Sequence, residues 1–354
     1  MNQPFQRSSA QIIKVVPKSV SDNEIVRNPS QIPVGKPAIF ALGGEETIDE
    51  YKARFYGRYI REILKQNNIS GVDLYSAFYA FGSRVPSHDR AELFRAGGRF
   101  IQEFDADNEK RAHQIAMVDK FEPKPIFVQI LFEKIFKPRI VNQYGRRYDI
   151  NTAIGYARNA IFFTHCQGAS TILMIQNMLQ AAMRDAGYSA NEIDLFLKNI
   201  VVINHEPLGP IEQLKMTSVS FMSAHDAVLR NNGMIGNEII DNIDMAKPMF
   251  FESNRAVIVP NVRDDAIDAE TDEHSTFDLG EKSTYKLSDC GKIMFAAERN
   301  AIIKSVSAAI MRKPIPTNLI TGRGVKFSEM AQNARDFMRA AYQAPQIQVR
   351  DYQK

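Results

Sequence analysis

Residues 160–171 read AIFFTHCQGAST, and the fold is decided there. Ala160, Ile161, Phe162 and Phe163 make a short apolar run of the kind that forms a strand buried on both faces. Gly168, Ala169 and Ser170 follow, and TILMIQNMLQAAMRDAG then places Ile172, Leu173, Ile175, Met178, Leu179 and Met183 at three- and four-residue steps. That spacing predicts an amphipathic helix ending at Gly187. Strand, tight turn and helix thus follow one another directly, with Cys166 at the apex and Thr164 and Gly168 two residues to either side. So sharp a reversal strains the backbone of its apex residue and requires small neighbours two positions away.

The run Thr164-His165-Cys166-Gln167-Gly168 resembles the nucleophile elbow of the α/β-hydrolase superfamily. His165, Gln167 and Gly168 echo the common Gly-His-Ser-Gln-Gly form, while cysteine replaces the serine and Thr164 replaces the first glycine. The resemblance implies an α/β fold: a mostly parallel central sheet flanked by helices, with a helical insertion. It also implies an order along the chain of nucleophile, then acid after a later strand, then histidine after the last strand. Cys166, Asp226 in SAHDAVL and His274 in DEHSTF stand in that order, each after a β-type run. Residues 219–228 resemble the strand and Asn-Asp-Pro-Val pattern that holds the family's acid, with Ala227 in place of proline. His205 and His225 are alternative bases; Glu206, Asp264 and Asp265 are alternative acids.

On this reading a thiol attacks a carbonyl, an imidazole takes its proton and returns it to the leaving group, and a carboxylate fixes the imidazole tautomer. Cysteine beside an imidazole and a helix N-terminus can rest as thiolate and imidazolium. The resemblance assigns the oxyanion to the backbone N–H of Gln167 and to one from the loop after an early strand, where Gly43 and Gly44 of ALGGEET stand; Gly44 and Glu45 are both open as that donor. The implied substrate is a small-molecule ester, thioester or lactone, with acyl transfer to another acceptor as a variant, because cysteine elbows occur in dienelactone hydrolases and polyhydroxyalkanoate synthases. A catalytically silent scaffold that binds a protein partner is the alternative from a different class. ALGGEET lacks the Gly-x-Gly-x-x-Gly spacing of a dinucleotide site, and no cofactor is expected. The histidines are dispersed, with no His-x-x-x-His or Cys-x-x-Cys pair, and no metal is expected either.

Composition sets the frame. The 354 residues are 44% apolar and 24% charged, which suits a folded protein with a large core. A net charge of +3 with scattered basic residues does not imply nucleic acid. No apolar window is long enough to span a membrane, and the N-terminus lacks the layout of a secretory signal. Two cysteines form no disulfide pattern, so a cytoplasmic location is expected, with export by a signal-independent route left open. Cys290 has no elbow around it and reads as a core residue.

Outward from the elbow, residues 1–35 read as a tail or edge strand, 36–345 as one hydrolase-like domain and 346–354 as a C-terminal tail. Within the domain, residues 39–42 and 72–81 are β-type runs around the helical stretch IDEYKARFYGRYIREILKQNN, a βαβ unit. A helical insertion occupies about 84–150, in which Phe127, Leu131, Phe132, Ile135 and Phe136 are expected as core or lid. Further strands are read at 200–203, 218–222 and 256–259, and helices at 291–313 and 328–343.

Overall fold

The computed structural model describes residues 11–17, 23–27, 29, 31–44, 50–78, 124–209, 211–226, 228–229, 249–251, 256–263 and 287–320. Its elements are β1 (Gln11–Pro17), β2 (Asn23–Arg27), β3 (Ala38–Leu42), α1 (Glu50–Gln66) and β4 (Asp73–Phe78). There follow α2 (Lys124–Leu131), a π-helical turn (Phe132–Phe136), α3 (Lys137–Ile140), α4 (Ile150–Arg158), β5 (Ala160–Cys166), α5 (Gly168–Asp185) and α6 (Ala190–Leu197). The chain continues through β6 (Val201–Pro207), β7 (Thr217–Ser223), β8 (Met249–Phe251), β9 (Ala256–Val259) and α7 (Asp289–Ile310).

The described strands form one sheet in the order β2-β1-β4-β3-β5-β6-β7-β9-β8. Its six central strands, from β4 to β9, pair in parallel, and antiparallel strands close both sides. The fold is therefore α/β with a mostly parallel sheet flanked by helices, as the strand-turn-helix pattern predicts. The N-terminal stretch read as tail or edge strand contributes the antiparallel pair β1 and β2 at one edge.

Period-two alternation divides the strand side chains between two helical layers. Phe40, Phe162 and Val202 face α2 to α6, packing against Leu131, Phe136, Ile172, Ile175 and Phe196. Ile39, Ile161, Phe163, Val201 and Ile203 face α1 and α7, packing against Ile60, Met294 and Ile302. Parallel strands buried on both faces must read as continuous apolar runs, which is why β3, β5 and β6 are legible as they stand.

Leu131, Phe132, Ile135 and Phe136 of the insertion are buried and belong to the core rather than to a lid. Phe136 stacks on Phe162, Phe162 on Phe40 and Phe40 on Tyr75, with ring centroids 5.1, 5.2 and 5.2 Å apart. Arg139 lies fully buried over the Phe40 ring, its guanidinium donating to the carbonyls of Tyr156 and Ile135. Burial lowers its pKa to about 10. Residues 84–123 of the insertion, the side chain of Phe127, and the helix read at 328–343 lie outside what the structure describes.

Two elements went unread in the sequence. Helix α6 begins with a reciprocal capping box, in which Ser189 Oγ accepts the Glu192 N–H and Glu192 Oε2 accepts the Ser189 N–H. The Ser-x-x-Glu signature was available in the sequence. Strand β8 has only three residues, too few for periodicity to register. Among the described residues, no helix is long and apolar enough to cross a membrane.

Candidate functional site

The C-terminal edge of the parallel sheet carries Cys166, Glu206 and Asp226 at or just beyond the ends of β5, β6 and β7. Cys166 ends β5 with φ 53°, left-handed for a residue with a side chain, and α5 begins two residues later at Gly168. Such a conformation costs about 1–3 kcal/mol and persists only where its surroundings impose it. The surroundings are specific. A Cβ built on Gly168 would overlap the Leu42 carbonyl oxygen and lie 3.2 Å from Thr164 Cβ, so the requirement for a small residue there is a packing fact. On the other flank the Leu208 N–H donates to the Cys166 carbonyl at 2.9 Å.

Gly44 stands against the elbow. A Cβ at that position would come within 2.5 Å of Cys166 Cβ and 3.0 Å of its Sγ. The chain leaving β3 (Ala38–Leu42) therefore brings the Gly44 backbone onto the thiol side chain, where only glycine fits. Gln167 is the N-cap residue of α5, and its carbonyl accepts from the N–H and hydroxyl of Thr171. Glu45 lies outside the described residues.

The sulfur itself is buried, with Cys166 4% exposed, and packs in a small apolar cluster with Leu208, Met222, Ala224, Leu229, Ala256 and Ile258. Among the described residues it has no hydrogen-bonded imidazole. His274, read as the base, lies outside the described residues, as do Asp264 and Asp265. Asp226 follows β7 as expected and is fully buried. Its Oδ1 accepts the Leu229 N–H at 3.1 Å, and its own N–H donates to the Ser223 carbonyl. Glu206 stands one residue before the end of β6, at the bulge where the register shifts so that Cys166 pairs with Pro207; it is fully buried with φ 44°, and its Oε2 accepts the Ser223 N–H at 3.2 Å. His225 is half-buried after β7, its N–H shared between the Pro260 carbonyl and Ser223 Oγ.

His165 and His205 face the layer of α1 and α7. His165 and His205 are register partners on β5 and β6, with ring centroids 5.8 Å apart. His165 Nδ1 is hydrogen-bonded to Tyr56 Oη at 2.9 Å, one residue before the elbow cysteine. His205 Nδ1 is hydrogen-bonded to Glu298 Oε2 at 2.6 Å, and Tyr59 donates to Glu298 Oε1 at 2.5 Å. Burial, and then the neighbouring Glu298 carboxylate, hold the Tyr59 phenol well above its ordinary pKa. This polar cluster was missed in the sequence because 93 residues separate Glu298 from His205 and 239 separate it from Tyr59. Cys290 is buried among the α7 side chains, a core residue as read. On the opposite face, Thr164 Oγ1 donates to Asn204 Oδ1 at 2.7 Å, and Asn204 Nδ2 to Ser220 Oγ at 3.1 Å, tying the ends of β5, β6 and β7 together.

Against known proteins, no family model matches the chain and no curated protein matches it. Among solved structures, the BES protein from Bacillus cereus is similar over 80% of this chain and 96% of its own, with a TM-score of 0.25 and 10% identity. At those values the likeness bears no functional weight, and the fold rests on the strand order itself. Among the described residues, no group of three His, Cys, Asp or Glu side chains is placed to hold a metal ion.

Proposed function

We propose that this protein is a hydrolase of ester, thioester or lactone bonds that works through an acyl thioester at Cys166. The observation that carries the proposal is the left-handed Cys166 at the β5-to-α5 reversal, with the Gly44 backbone packed onto its side chain. A structural cysteine has no need of that conformation, which glycine would adopt without strain.

In the proposed reaction an imidazole removes the thiol proton and the sulfur adds to the substrate carbonyl. The oxyanion is met by N–H groups at Gln167 and in the Gly43–Gly44 loop. The tetrahedral species collapses, the carbonyl-to-oxygen bond breaks and the alcohol leaves with the proton from the imidazolium. Water, deprotonated by the same imidazole, then attacks the thioester and releases the acid and the free thiol. His274 is the proposed imidazole, and a buried carboxylate at the sheet edge, Asp226 or Glu206, orients it. An acceptor other than water at the second step would make the same site an acyltransferase. Cys166 and Cys290 form no disulfide, which supports a reducing, cytoplasmic setting.

The burial of Cys166 favours a second reading, in which the elbow is a vestige on a scaffold that binds a protein partner. Two measurements separate the readings. A reactive elbow alkylates with iodoacetamide near neutral pH and turns over p-nitrophenyl esters, and Cys166→Ala abolishes both. Equal ester turnover by wild type and Cys166→Ala ends the enzyme proposal, and a thiol inert to iodoacetamide leaves the scaffold.

A further inference from the structure

Helix α5 and its N-cap bury four polar side chains: Gln167, Ser170, Thr171 and Gln176. Three have partners. Ser170 Oγ donates to the Leu208 carbonyl, and Thr171 Oγ1 donates to the Gln167 carbonyl at 3.2 Å. Gln176 uses both ends of its amide, Nε2 donating to the Gln213 carbonyl at 3.1 Å and Oε1 accepting the Lys215 N–H at 2.7 Å. Gln167 differs. It is 5% exposed, and its enclosed Nε2 has no hydrogen-bond partner among the described residues. Its side chain does not cap the helix that it precedes, either.

For a structural residue this is an unfavourable choice. An enclosed amide N–H without an acceptor carries its full desolvation penalty, which methionine, of similar size, does not incur. The place of Gln167 in the chain supplies a reason. It joins the left-handed Cys166 to Gly168, the first residue of α5, where the Gly44 backbone packs onto the thiol side chain. The start of an 18-residue helix carries partial positive charge, and the Gln167 Nε2 brings N–H donors to the same end. Such a place favours an oxygen bearing negative charge. The proposed reaction creates one on the carbon that Cys166 attacks.

We infer that the Gln167 side-chain amide is a further catalytic donor, hydrogen-bonding the substrate's carbonyl oxygen as the sulfur adds, an inference that rests on the reading of Cys166 as a nucleophile. The sulfur electron pair forms the bond to carbon, the carbonyl π pair moves onto oxygen, and Nε2 donates to that oxygen while keeping its protons; when the species collapses, the pair returns and the ester C–O bond breaks. The test uses the full chain with p-nitrophenyl butyrate, iodoacetamide and thermal melting. Gln167→Met is expected to lower kcat about 100-fold or more, with KM within about threefold of wild type, because the donor is needed in the transition state. Its melting temperature is expected to equal or exceed that of wild type, since the orphaned donor is gone. Alkylation by iodoacetamide builds no oxyanion, so its rate should stay within about threefold of wild type. Gln167→Glu, the same shape with an acceptor in place of the donor, is expected to lose at least as much turnover. Gln176→Met is the control, expected to melt lower and keep its turnover, because it breaks two bonds away from the elbow. Wild-type kcat in Gln167→Met, a melting temperature lowered as far as in Gln176→Met, or alkylation slowed as much as turnover each overturns this inference and leaves the hydrolase reading standing. A wild-type protein inert to both reagents overturns the two together.

Discussion

Replacing Gly168 with alanine tests the geometry of the elbow without touching any proposed chemical group. A Cβ there would overlap the Leu42 oxygen and lie 3.1 Å from its carbonyl carbon, where ordinary carbon contacts begin at about 3.5 Å. Both atoms are backbone at the end of β3, so no flexible side chain can yield; either the start of α5 or the end of β3 must retreat by roughly 0.5–1 Å. Overpacking against so rigid a partner costs about 3 kcal/mol. For a chain of 354 residues, an unfolding entropy of about 2.1 cal/mol/K per residue turns this into a fall of about 4 °C in Tm. The control is Gly155→Ala within α4, where a Cβ meets nothing within 4 Å and helix propensity raises stability by about 1 kcal/mol. Differential scanning calorimetry of the two variants should therefore move in opposite directions. Because Leu42 leads into Gly44, the same displacement is expected to change the rate at which iodoacetamide reaches Cys166 in Gly168→Ala, with no change in Gly155→Ala. A Gly168→Ala protein that melts with the wild type and alkylates at its rate would show that the elbow is not wedged against β3.

Two further predictions concern pH. The Tyr59 phenol titrates well above its ordinary value in the folded protein, chiefly through burial, so the unfolded chain loses that proton first. The associated stability is present below about pH 10 and is lost as pH climbs toward the folded value; Tyr59→Phe should flatten that alkaline limb in urea titrations, and an unchanged limb refutes the assignment. At acid pH, the hydroxyl and then the N–H of Thr152 lower the Asp149 carboxyl at the N-cap of α4. That contribution is complete above the ordinary carboxylate value of about 4 and disappears as pH falls through the lowered one. Asp149→Asn still caps α4 but should remove this share of the acid dependence, and an acid limb identical to wild type argues against it.

The sequence by itself determined the layered α/β fold and the elbow. Apolar runs at β3, β5, β6 and β9 name strands buried on both faces, because a central parallel strand has no polar side to alternate with. The elbow is legible because a strand can turn into a helix with no spacer only at a strained residue with small neighbours, which leaves a local signature in five residues. Tertiary structure decided what stands around Cys166. Glu206 and Asp226 both stand as candidate acids in the sequence; the structure buries both at the C-terminal edge of the sheet, Glu206 in the bulge of β6 and Asp226 accepting the Leu229 N–H. Pairing His205 with Glu298 and Tyr59 required α1 and α7 to meet beneath the sheet. Sequence patterns record the period of each element, and therefore which face it buries. They do not record which residues meet across a sheet edge, because that depends on strand order and register, set by the chain as a whole.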